Sequence, residues 1–233
     1  KITGESFKSK INKIRNKLKL NKTDYLFVSA PENVAWLLNI RGSDNPNSPI
    51  PNCRLVIGKN KELFMITQKE KASIIIKEKK LSKKQIINPE KFENLIKKIN
   101  GKKFIIDSLS CSVFNENIIK SKFKIAGKND PCYRLKSIKN SSEIKHMINA
   151  HIEDGVALTK FIYWIKNVNK KKITEIDSQN KLIKLRKLNK NFLYPSFDTI
   201  SGAGSNGAIV HYRASKKSNK TIKKNDIFLC DSG

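Results

Sequence analysis

Up to about residue 125 the chain alternates short apolar runs with segments of helical periodicity, an order that suits strands and helices stacked as the layers of an α/β domain. Phe7, Ile11, Ile14 and Leu18 predict an amphipathic helix over residues 6–20 with a lysine-covered outer face. Tyr25-Leu-Phe-Val28 reads as a buried strand. Ser29-Ala-Pro-Glu32 then offers a capping-box spacing and an early Pro, so a second helix with Val34, Trp36, Leu37 and Leu38 starts there and ends before Arg41-Gly42. Residues 39–51 form a polar loop, and 54–57 with 62–66 flank Gly58-Lys-Asn-Lys61 as a β-hairpin. Strands are expected at 85–87, 103–107 and 123–125, with helices from Asn88-Pro89, bearing Phe92, Leu95, Ile96 and Ile99, and over 109–119.

Asp130-Pro-Cys-Tyr-Arg-Leu-Lys136 reads as a connector. Two long helices come next, one from near Ser141 with Ile144, Met147, Ile148, Ile152, Leu158, Ile162 and Ile165, the other from near Thr174 with Ile176, Ile183 and Leu188. This change of pattern places a domain boundary at about residue 137, dividing the chain into 1–137 and 138–233.

The net charge of +28, with 48 basic against 20 acidic residues, raises the question of a nucleic-acid partner. A binding patch is normally clustered, richer in Arg and interleaved with aromatics that stack on bases. Here the lysines are spread along the chain in company with Ile and Asn, all encoded by A/T-rich codons. Compositional drift accounts for the charge, and no nucleic-acid partner is expected. No apolar run approaches the ~18 residues of a membrane helix, so no membrane partner is expected either. The four cysteines lack CxxC spacing, which argues against zinc ligation and for free thiols in a reducing cytoplasm, with Cys53, Cys111 and Cys230 in core elements.

Gly202-Ala-Gly-Ser-Asn-Gly207 matches G-x-G-x-x-G, but phosphate cradling needs a helix N-terminus behind the glycines, and Ala208-Ile-Val-His-Tyr212 has a strand pattern. The expectation is a glycine-rich turn between two strands, where small residues let backbone approach a substrate. His211, between Val210 and Tyr212, would face away from both neighbours; a structural histidine is the plainer alternative. Asp231 emerges at the end of the buried strand Ile227-Phe-Leu-Cys230, where a carboxylate must be paired, hydrogen-bonded or bound to a cation, unless it merely caps the turn at Ser232-Gly233. His146 and His151 are five apart and do not align as ligands on a helix. Glu153 and Asp154 read as helix-surface charges.

In combination, the string from Ile200 to Tyr212, the string Phe228-Leu-Cys-Asp-Ser-Gly233, and Val34-Ala-Trp-Leu-Leu-Asn-Ile-Arg-Gly-Ser-Asp44 upstream closely resemble the Xaa-Pro aminopeptidases, in their long three-domain form, of the pita-bread metallopeptidases. The resemblance covers nearly the whole chain. It implies a creatinase-like α/β domain over 1–137, the second domain of that form, and over 138–233 the first, incomplete part of an α+β pita-bread catalytic domain.

The family's catalytic domain holds two divalent metals, usually manganese with zinc or cobalt as alternatives, through two Asp, one His and two Glu. By resemblance Asp231 is the first Asp, the other four ligands lying further downstream. His211 matches a catalytic histidine that binds substrate and stabilises the oxyanion, and Phe197 an aromatic near the specificity pocket. Hard carboxylate oxygens and imidazole suit Mn²⁺, and two metals about 3.5–4 Å apart can share a hydroxide nucleophile. The bond before proline is a tertiary amide without an N–H, so a dedicated pocket is expected.

The implied reaction is release of the N-terminal residue from peptides with proline second, by a cytoplasmic homodimer. With one ligand of five, this chain alone is expected to be inactive, with unpaired sheet edges and an exposed apolar face, and the natural chain to continue past Gly233 with a second Asp soon after. Arg41 and Asp44 either face the cleft or a dimer partner, or pin their loop through an Arg–Asp hydrogen bond. The rival is a non-catalytic pita-bread module that binds peptides or protein tails; the presence of both Asp231 and His211 favours the enzyme.

Overall fold

The computed structural model describes residues 2–127, 129–168 and 173–233, in two compact units, Lys1–Glu143 and Ile144–Gly233. The first unit contains α1 (Phe7–Leu20), β1 (Tyr25–Val28), α2 (Pro31–Leu38), β2 (Arg54–Gly58), β3 (Leu63–Ile66), α3 (Ser73–Lys77), β4 (Ile86–Ile87), α4 (Phe92–Lys98), β5 (Lys103–Ile106), α5 (Val113–Lys120), β6 (Lys124–Ile125) and α6 (Pro131–Ser137). Its six-stranded sheet runs β4-β3-β2-β1-β5-β6, with the hairpin β2–β3 and the pair β1–β2 antiparallel and β1–β5 parallel.

Alternate residues face opposite layers. Leu26, Val28, Leu55, Ile57 and Ile105 pack with Ile11, Ile14 and Leu18 of α1 and Val34, Leu37 and Leu38 of α2. Tyr25, Phe27, Val56, Phe104 and Ile106 pack with Phe92, Leu95 and Ile96 of α4 and Ile119 of α5. Helices on both faces explain why the central strands read as continuous apolar runs.

Several local expectations are corrected. Lys10 is buried, not part of a lysine-covered face. Its Nζ donates to the Trp36 carbonyl at 2.9 Å and to Asn39 Oδ1 at 2.8 Å, and stands 4.1 Å over the Trp36 ring. The end of α2 thus supplies the partners that water otherwise would, while burial lowers the ammonium's pKa. The capping box at Ser29 does not form: Ala30 is the N-cap of α2, Pro31 takes the first turn, and Ser29 Oγ lies 2.7 Å from Ser110 Oγ. The expected connector is the helix α6, started by Pro131 and capped by Asp130, which accepts from the Cys132 amide at 2.9 Å. Cys132 is accordingly a core residue with Cys53, whereas Cys111 and Cys230 are half-buried; all four thiols are free. Asp44 accepts from the Asn52 amide at 2.6 Å and pairs with Lys71 rather than Arg41.

The second unit contains most of α7 (Ser141–Asn167), then α8 (Glu175–Arg186), β7 (Ile200–Ala203) and β8 (Phe228–Asp231). Ala157 and Phe161 of α7 are buried, but Ile144, Met147, Ile148, Ile152 and Val156 each remain about half exposed. Asp154 is more than a surface charge. It receives both Nε (2.6 Å) and Nη2 (3.0 Å) of Arg186, whose side chain is only 3% exposed. β7 and β8 pair antiparallel with Ile200 opposite Asp231.

Candidate active site

Thr174 and Asp177 cap α8 reciprocally: the Thr174 hydroxyl accepts from the Asp177 amide at 3.2 Å, and Asp177 Oδ2 accepts from the Thr174 amide at 3.0 Å. This cap makes Glu175 the first residue of the helix, fully buried. Glu175 Oε1 accepts from the Ala203 amide (2.7 Å) and Asn206 Nδ2 (3.0 Å), and Oε2 from the Tyr212 hydroxyl (2.8 Å) and the Lys220 amide (2.9 Å). Burial works to raise its pKa, but the Ala203 and Lys220 amides, with Tyr212 and Asn206, outweigh it and hold the carboxyl below its ordinary value.

The glycines serve this packing. A β-carbon on Gly202 would sit 2.8 Å from both the Cα and the N of Gly207, and Gly204 has φ +55. The first thus permits close approach and the second a left-handed turn. Gly204 opens a short 3₁₀ helix, Gly204–Ala208, within the expected glycine turn, and the strand expected over 208–212 does not form. Ile209 and Val210 are 54% and 83% exposed, and His211 lies in an exposed turn at φ +53. The period-two pattern of Ala208-Ile-Val-His-Tyr212 loses to two local turns, closed by Ile209 N to the Asn206 carbonyl and Tyr212 N to the Ile209 carbonyl, both 3.2 Å. The buried Tyr212 anchors their end.

A series of contacts runs between the segments that carry the three expected site residues, each contact falling at or within two residues of one of them. The Ser196 amide donates to the Gly233 carbonyl at 2.9 Å, joining the residue before Phe197 to the Asp231-Ser-Gly233 turn. A β-carbon on Gly233 would meet Ser196 Oγ at 2.5 Å and Phe197 Cε1 at 3.1 Å, so the half-buried Phe197 rests directly on that turn. On its other side, Asp198 accepts from Arg213 Nη1 at 2.7 Å, two residues beyond His211. β8 is not buried as expected; its residues alternate between half-buried and exposed, and Asp231 is its exposed last residue, whose carboxylate makes no hydrogen bond to the described residues.

A hard oxygen donor whose carboxylate makes no hydrogen bond to the described residues, Asp231 is of the chemical type that suits Mn²⁺. Among the described residues no three His, Cys, Asp or Glu side chains gather as a metal site. His151 Nδ1 lies 2.8 Å from the Met147 carbonyl, a backbone contact within α7. Sequence reasoning missed Glu175 as part of the site. The Thr174-x-x-Asp177 cap spacing marks its place at the helix start, but nothing local marks its partners.

The profile of the creatinase/prolidase N-terminal domain matches residues 1–143, and that of metallopeptidase family M24 matches residues 145–233. The chain belongs to the creatinase/prolidase N-terminal domain family. It combines the creatinase-type α/β domain with the start of the pita-bread domain. The probable Xaa-Pro aminopeptidase P of Paracoccidioides brasiliensis (strain Pb03) is 34% identical over 256 residues, covering 100% of this chain and 40% of that protein. The X-prolyl aminopeptidase of Caenorhabditis elegans, described as a cytosolic enzyme with a di-nuclear active site, superposes with a TM-score of 0.87 at 27% identity, over 100% of this chain and 39% of its own. The Xaa-Pro dipeptidase of Bacillus anthracis, at 19% identity and a TM-score of 0.67 over 98% of this chain and 61% of its own, shares the fold. The chain therefore spans about two fifths of the length of the Xaa-Pro aminopeptidases it matches.

Proposed function

We propose that this chain is part of a metal-dependent aminopeptidase that releases the N-terminal residue from peptides with proline in second position. Asp231 supplies one ligand of a dinuclear centre, His211 binds substrate and stabilises the oxyanion, and Phe197 lines the specificity pocket. The observation that carries this reading is the short series of contacts from the Asp231 turn through Ser196 and Phe197 to Asp198 and Arg213, which ends two residues from His211. An exposed imidazole on a pinned turn is free to donate to a carbonyl oxygen as charge develops there.

Residues 1–137 act as the family's second domain and 138–233 as the beginning of the catalytic domain. Manganese is the metal, with zinc and cobalt as alternatives; the setting is cytoplasmic and the assembly a homodimer. Four free thiols and the cytosolic Caenorhabditis elegans relative support the location. The test is hydrolysis of an Arg-Pro-Pro peptide by the full-length gene product, stripped of metal and reloaded with Mn²⁺. Metal-dependent release of Arg is expected. Its absence would leave the non-catalytic binding module as the better reading.

A further inference from the structure

We infer that Glu175, acting through Tyr212, is a positioning residue for His211; this rests on the role proposed above for His211. One carboxylate gathers the base of the glycine turn (Ala203 N), its 3₁₀ helix (Asn206 Nδ2), the residue after His211 (Tyr212 Oη) and the returning chain (Lys220 N). The 203–212 loop is therefore closed at both ends on a single side chain, itself fixed as the first residue of α8. The Tyr212 hydroxyl also accepts from Asn206 Nδ2 at 2.7 Å and lies 3.0 Å from the Ser218 carbonyl. His211, by contrast, makes no side-chain hydrogen bond to the described residues and holds φ +53 with its side chain exposed. A non-glycine residue in the left-handed region persists only where its surroundings impose it. Here the imposing contacts are those of its neighbour Tyr212, so the backbone position from which the imidazole projects is set by the Glu175–Tyr212 bond.

Catalytic groups must be held to within a fraction of an ångström, and a misplacement of about 1 Å can cost about 100-fold in rate. Tyr212→Phe deletes only the hydroxyl and is expected to lower kcat about 10-fold with little change in KM, a smaller loss than full misplacement. Glu175→Gln, which sets an amide N–H₂ against N–H donors, should lower it further. The decisive measurement is a double-mutant cycle on the metal-loaded, full-length protein with an Xaa-Pro peptide. Tyr212→Phe added to His211→Ala should cost nothing more in kcat, since there is no imidazole left to aim. Losses that multiply would make Tyr212 a general structural residue and overturn the inference. A wild-type kcat for Tyr212→Phe, with His211→Ala slow, would overturn the inference alone. A wild-type kcat for His211→Ala would remove the role of His211 and the inference with it. If Glu175→Gln does not fold, Tyr212→Phe carries the test.

Discussion

Gly202 and Gly207 face each other so closely that a β-carbon on Gly202 would lie 2.8 Å from the Cα and N of Gly207. The obstructing atoms are backbone and cannot swing aside. Gly202→Ala must therefore shift β7 against the 3₁₀ helix and is expected to destabilise by about 1–3 kcal/mol. Urea unfolding of the purified variant measures this directly. A neutral Gly202→Ala would show that the turn is looser than the packing implies.

His211 leads to the opposite expectation. A side chain in the left-handed region costs about 1–2 kcal/mol, which glycine avoids at a loss of about 0.5–1 kcal/mol in chain entropy. Because the imidazole is exposed and without side-chain hydrogen bonds to the described residues, His211→Gly should melt at or above the parent while losing turnover. A clear fall in Tm would mean that the imidazole stabilises the fold and is not reserved for substrate.

These two residues also mark the limit of what the sequence reveals. Tyr25-Leu-Phe-Val28 and the hairpin of β2 and β3 were legible because burial on both faces leaves an unbroken apolar run, and α1 because its periodicity is local. The burial of Lys10 was not legible, since its acceptor, the Trp36 carbonyl, lies 26 positions away. The run Ala208-Ile-Val-His-Tyr212 misled for the same reason: its fate depends on Glu175, 37 positions upstream of Tyr212. Phe197 became a candidate only through resemblance, whereas Asp231 and His211 stood out locally but acquired their roles from it. Without the resemblance, the plainer alternatives for the latter two are a turn cap and a structural histidine.

Arg186 and Asp154 offer a test of the second unit's packing. The guanidinium is 3% exposed and its Nη1 has no partner among the described residues, so the bidentate contact to Asp154 compensates most of its burial. Removing the carboxylate in Asp154→Ala strands a buried charge and should cost about 2 kcal/mol, below the 3–5 kcal/mol of a fully buried pair because Asp154 is half exposed. The double variant Asp154→Ala, Arg186→Met should recover part of that loss, because no charge remains to be desolvated. Thermal melts showing the double variant weaker than Asp154→Ala would mean that the aliphatic stem and Nη1 of Arg186 matter more than the ion pair.

Asp24 ties β1, β2 and β5 together at one end of the sheet. Its Oδ2 accepts from the Lys102 and Lys103 amides at 2.7 and 2.9 Å, and Oδ1 meets Lys59 Nζ at 2.7 Å. Burial works to raise its pKa, but the Lys59 ammonium and the two amides outweigh it and hold the carboxyl at about 2. The unfolded chain titrates near the ordinary aspartate value of about 3.9. The stabilisation is therefore complete above about pH 4 and is lost as the pH falls towards the folded value of about 2. Each unit of separation corresponds to about 1.4 kcal/mol, which solvent screening reduces to a total of about 1–2 kcal/mol here. Asp24→Asn should be less stable than the parent by that amount at pH 7, and the gap should narrow between pH 4 and pH 3 in paired urea titrations. A gap that stays constant over this range would assign the loss to the hydrogen-bond geometry of the amide, not to the charge.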